Sequence, residues 1–116
     1  MMDARTMAME LAKALDNKKG GDIKVLKTAD VTTLADYFVL CTGTSNTQIK
    51  ALADECERVM KEAGEEPHHV EGHRGGTWVL LDYSCVVVHI FSDEARKFYD
   101  LERLWSDAEE VELNLP

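Results

Sequence analysis

The sequence predicts a single-domain α/β (α+β) fold in which a mixed five-stranded sheet is flanked by helices. Three observations predict it. Two stretches repeat apolar residues at helical spacing, and five short runs are rich in β-branched and aromatic residues. No Pro-, Ser- or Gly-rich linker divides the chain. At 116 residues it is long enough to bury one core without disulfide or metal support. Residues 1–116 are therefore read as one domain, with 107–116 as a flexible tail.

The first helix is expected over residues 3–16, where Ala4, Met7, Ala8, Leu11, Ala12 and Leu15 share one face. Lys18 and Lys19 suit its negative end, and Gly20 or Gly21 can supply a left-handed cap. Ile23 to Leu26 forms a short strand and Tyr37 to Cys41 a second, apolar enough to lie centrally. Ser45 and Gln48 have capping-box spacing at the start of a helix over 46–63. Its buried stripe is Ile49, Leu52, Ala53, Cys56, Val59, Met60 and Ala63, and Gly64 and Pro67 end it. An edge strand over 68–70 and a mobile loop over 72–76 lead to a hairpin of strands 77–82 and 85–91. Ser92, Asp93 and Glu94 open a last helix, since acids favour its positive end. Ser106 and Glu109 begin a weak final turn.

Charge and cysteines narrow the function. Thirteen basic against 22 acidic residues leave a net charge of −9. The excess sits in residues 54–71 and 92–116, each summing to −5, while the remainder is near neutral. Such a field repels bare nucleic acid, excluding direct sequence-specific nucleic-acid binding, and favours basic partners. Cys41, Cys56 and Cys85 are odd in number, widely spaced and beside apolar residues, as expected of reduced thiols in a cytoplasmic protein. No signal-like N-terminus and no run of about 18 apolar residues suggests export or a membrane span.

Chemical motifs are weak. Gly43-Thr44-Ser45 at a strand-to-helix turn is a pattern that binds phosphate on unpaired backbone N–H groups. A nucleotidyltransferase would add two carboxylates on a neighbouring strand to hold Mg²⁺, yet the hairpin offers Asp82 followed by Ser84. His68, His69 and His73 crowd near Glu71 without a cysteine pair to complete a zinc pattern. His89 lies inside an apolar strand, where a hydrogen-bonded core or interface role outweighs that of a catalytic base. No catalytic set, metal or cofactor is assigned. The sharper signal is aromatic: Trp78, Tyr99 and Trp105, the last two flanking Asp100-Leu101-Glu102-Arg103, match the composition of protein-binding hot spots.

Several motifs stand in order: Asp36 to Ser45, Glu71-Gly72, Trp78 to Asp82, Val86 to Phe91, and Arg96 to Trp105. On these the chain closely resembles the ribosomal silencing factor (Iojap-like) family over about residues 5–106. The resemblance implies a nucleotidyltransferase-like fold without that activity, and thus a non-enzymatic protein. It implies binding to the large ribosomal subunit through its protein fourteen, blocking small-subunit joining and damping translation when nutrients run short. Homodimers are also implied. Trp78 and Tyr99 match the family's contact face, with Arg96, Leu101, Glu102 and Trp105 as further contacts. One departure stands out: Ser84-Cys85 replaces the Gly-Asp usual in the family's hairpin, where glycine permits positive φ. The alternative reading is a divergent nucleotidyltransferase binding a nucleotide at Gly43 to Ser45.

Overall fold

The computed structural model describes residues 2–115. Helix α1 (Ala4–Asn17) starts where the Asp3 carboxylate accepts the Thr6 N–H at 2.7 Å. Strands β1 (Gly21–Lys27) and β2 (Tyr37–Gly43) follow, then α2 (Asn46–Glu62), β3 (His69–Glu71), β4 (Trp78–Asp82) and β5 (Val86–Ser92). Two short helices, α3 (Asp93–Tyr99) and α4 (Leu101–Leu104), precede a last strand, β6 (Glu109–Val111). The sheet runs β3-β4-β5-β2-β1-β6, with β2 and β5 parallel and every other pair antiparallel.

Register explains the core. Val70, Leu81, Val88, Val39, Val25 and Val111 pair in one row across all six strands. Because cross-strand partners share a face, the five members from Leu81 to Val111 lie against the apolar stripes of α1 and α2, including Met7, Leu11, Leu15, Ile49, Leu52 and Met60, while Val70 at the edge stays exposed. On the opposite face Leu26, Phe38, Leu40, Val87 and Phe91 form a smaller cluster. Its cover is thin: Ala95, Leu101, Trp105 and Ala108, from the chain after β5, are themselves only partly buried. One face is closed by two long helices; the other is half open.

Three expectations change. The sheet has six strands, not five, and the sixth falls within 107–116, the segment expected to be a flexible tail. Val111 drives it, since pairing with β1 puts that side chain in the core row. The end of α1 takes its left-handed residue at Lys19 (φ 62), not at a glycine. Gly20 is needed for space, because a Cβ there would stand 2.4 Å from the Cys41 sulfur. Finally, the last helix breaks at Asp100 (φ 46, ψ 55), a left-handed residue that aspartate tolerates better than most.

The hairpin departure puts a serine at a left-handed position. Ser84 adopts φ 73, and its N–H is held by Asp82 Oδ1 at 2.7 Å. Serine thus occupies the left-handed position at a conformational cost of about 1 kcal/mol.

Candidate docking surface

The half-open face carries the predicted aromatics. Trp78 on β4 pairs with Phe91 on β5, and their rings stack at 5.2 Å with 28° between planes. Tyr99, at the end of α3, lies across the indole at 4.3 Å. Trp78 Nε1–H donates to Nδ1 of the buried His89 at 3.2 Å. His89 is stacked 7° off Phe91 at 5.9 Å and meets Phe38 edge-on at 5.1 Å. Trp105 also meets Phe38 edge-on, at 5.6 Å. Seven aromatic and imidazole rings therefore form one continuous array, from the core out to Tyr99 and, beyond it, Phe98.

Exposure divides the six residues predicted for this face. Tyr99 is 48% exposed, and Trp78, Leu101 and Trp105 are half-buried. Arg96 is 7% exposed and lies under the face, not on it. Its Nε donates to Glu102 at 3.0 Å and its Nη1 to the Asp22 carbonyl at 2.6 Å and Thr42 Oγ1 at 2.9 Å. That carbonyl lies where the β1 register shifts, between Gly21 and Lys24. Glu102 is shared between Arg96 and Lys24, the latter at 2.8 Å. The Arg96 guanidinium, and then Lys24, hold its carboxyl below the usual carboxylate range. Arg96, buried, and Glu102, 28% exposed at its side chain, thus fasten the last two helices to the sheet.

Composition hid other members of the surface. Phe98 is 80% exposed and Leu104 68%, and both line an open depression of about 540 Å³ with Lys97, Tyr99, Asp100 and Arg103. The signal was there: Phe98 is apolar at a position of α3 where the pattern calls for a polar one. A second notch, of about 230 Å³, is formed by Glu71, Gly72, Trp78 and Leu80. Gly72 (φ 79) is indispensable here, since a Cβ would fall 1.9 Å from the Trp78 carbonyl oxygen.

The remaining candidates serve local structure. Thr44 donates from both N–H and hydroxyl to Gln48 Oε1, at 2.6 and 2.8 Å, and Ser45 Oγ accepts the Gln48 N–H at 3.1 Å. The cap is reciprocal, though Gln48 reaches Thr44 rather than Ser45. His73 lies 2.8 Å from Asp54 and His69 3.4 Å from Glu71, so these histidines point to separate carboxylates. Among the described residues no group of three or more His, Cys, Asp or Glu is placed to hold a metal ion. Burial raises all three thiol pKa values, Cys41 to about 12, opposite to what a nucleophile needs. No helix among the described residues is long and apolar enough to cross a membrane.

The model of the family described as "Ribosomal silencing factor during starvation" matches residues 1–116. The chain belongs to the ribosomal silencing factor family. The ribosomal silencing factor of Halalkalibacterium halodurans is 41% identical over 100 residues, covering 86% of each chain. That of Bacillus subtilis is 36% identical over 113 residues, covering 97% of this chain and 96% of the relative. A crystal structure from Chromobacterium violaceum superposes with a TM-score of 0.88 at 36% identity, covering 99% of this chain and 95% of that one. These likenesses support a ribosomal silencing role in translation regulation, and the sheet-and-helix fold is that of the family's solved structures.

Proposed function

We propose that this ribosomal silencing factor binds the large ribosomal subunit through its protein fourteen and, by occupying that surface, keeps the small subunit from joining. It acts in the cytoplasm, lowering translation under nutrient limitation, and does so by excluded volume rather than bond-making. The observation that carries the reading is the aromatic ledge: Tyr99 rests on Trp78 beside the exposed Phe98 and Leu104, on the one sheet face without a full helical cover. Such a group of rigid rings with a polar rim suits a docking hot spot. Fully burying a phenylalanine contributes about 1.5–3 kcal/mol, so Phe98 adds to the two anchors read from the sequence. Ribosomal proteins are typically basic, and a net charge of −9 favours encounter with them. Glu71, exposed beside the Trp78 notch, supplies a carboxylate for a partner cation. Glu102 is engaged by Arg96 and Lys24 instead.

Light scattering of purified subunits tests the reading. Association should fall as the protein is added. Trp78→Ala and Tyr99→Ala should each weaken large-subunit binding by about 2 kcal/mol, roughly 30-fold. Subunits that pair equally well at a saturating dose would refute the function. A folded double variant that binds like the native protein would refute the site.

A further inference from the structure

We infer that His89 is a positioning residue for docking: its unprotonated Nδ1 fixes the Trp78 indole in the orientation on which Tyr99 rests. This inference depends on the docking surface proposed above and adds to it a residue that touches no partner.

Registry makes the contact unusual. On β5 the residue directly opposite Trp78 is Phe91, while His89 lies opposite Leu80, so the indole reaches His89 diagonally. An indole on a sheet face can lie along several directions, and stacking on Phe91 at 5.2 Å does not choose among them. The hydrogen bond to Nδ1 at 3.2 Å does, because it demands that Nε1 point inward along the strand direction. The ring of His89 is packed on two sides. Phe91 lies parallel to it on one side, and Phe38 abuts it edge-on.

The histidine is poorly suited to stability alone. If Nδ1 accepts, the neutral ring carries its proton on Nε2. That nitrogen is buried and has no hydrogen-bond partner among the described residues. A leucine would fill similar space without an unsatisfied donor, so packing does not explain a histidine here. What leucine cannot provide is an acceptor for the indole. Burial also pushes the His89 pKa down to about 4, which keeps the ring neutral and Nδ1 free to accept at neutral pH. Loss of the acceptor would not strand the indole N–H, since Trp78 is only half-buried and can turn toward water. Orientation, not folding, is what His89 supplies.

The test measures His89→Leu for urea unfolding, for hydrogen exchange of the Trp78 indole N–H by NMR, and for affinity to purified large subunits. The Trp78 signal is identified as the one missing from Trp78→Ala. The expected result is an unfolding midpoint at or above that of the native protein, indole exchange at least tenfold faster, and binding about fivefold weaker. His89→Asn, whose amide oxygen can stand near the Nδ1 position, should restore exchange and affinity toward native values. A structural role alone would move the midpoint and would not be rescued in this pattern. Native binding by folded His89→Leu, where Trp78→Ala has lost binding, overturns the inference and leaves the docking surface standing. Native binding by Trp78→Ala overturns both. Should His89→Leu not fold, imidazole ¹⁵N shifts of the native protein decide: a proton on Nδ1 at neutral pH overturns the inference, and one on Nε2 upholds it.

Discussion

Replacing Arg96 with methionine asks whether this side chain is a rivet beneath the proposed docking surface or a contact upon it. Methionine keeps most of the apolar stem and removes the guanidinium. Three hydrogen bonds disappear, to Glu102, the Asp22 carbonyl and Thr42 Oγ1. Breaking a buried ion pair by removing one partner costs about 3–5 kcal/mol when the other charge is stranded. Here the stranding is partial, because Glu102 keeps Lys24 at 2.8 Å. Asp22 is exposed, so its carbonyl can find water. The expected loss is therefore about 2–4 kcal/mol, which for a domain of this size lowers Tm by roughly 8–16 °C. Urea unfolding of Arg96→Met, Glu102→Gln and the double variant reads the loss and the coupling, expected near 1.5 kcal/mol. An unchanged unfolding midpoint with weakened large-subunit binding would refute the reasoning. It would mean that Arg96 meets the partner directly.

Two further outcomes follow from geometry already described. Ser84→Gly relieves a left-handed serine and should raise unfolding stability by about 0.5–1 kcal/mol, with the Asp82 cap retained; the urea midpoint measures it. Acid sensitivity should trace partly to His89, whose pKa is lowered to about 4 in the folded protein from about 6.5 in the unfolded chain. Between those values the unfolded state binds more protons, so stability is complete above pH 6.5 and declines as pH falls toward 4, by up to about 3 kcal/mol. His89→Leu should flatten that part of the profile.

Much of this was legible along the chain. The stripe Ile49, Leu52, Cys56, Met60 gave α2 directly, because helical periodicity and a Ser45 cap agree. The β2 run reads as a central strand because it is apolar throughout, and the structure buries it almost completely. Trp78 and Tyr99 stood out by residue type, and the structure brings their rings together at 4.3 Å. What stayed hidden depends on tertiary context. Three residues of strand at Glu109–Val111 carry no period, and only the neighbouring β1 makes Val111 a core residue. A left-handed Asp100 leaves no mark such as a glycine, so α3 and α4 read as one helix. Arg96 and Glu102 look like surface charges, since sequence spacing cannot tell a guanidinium turned toward Asp22 and Thr42 from one turned outward. Phe98 was the residue most open to discovery, as an apolar intrusion in a charged helix.

The shortness of the two outermost strands bears on how copies of this protein behave when crowded together. Both β3 and β6 are three residues long, and Glu71, Glu109 and Glu110 put carboxylates along those borders. An intruding segment would find few main-chain groups to grasp and would meet repulsion from any acidic neighbour. Sheets of adjacent molecules therefore have little means of fusing into a ribbon. Self-association, where it occurs, must proceed through side chains, and so stays reversible and sensitive to single substitutions.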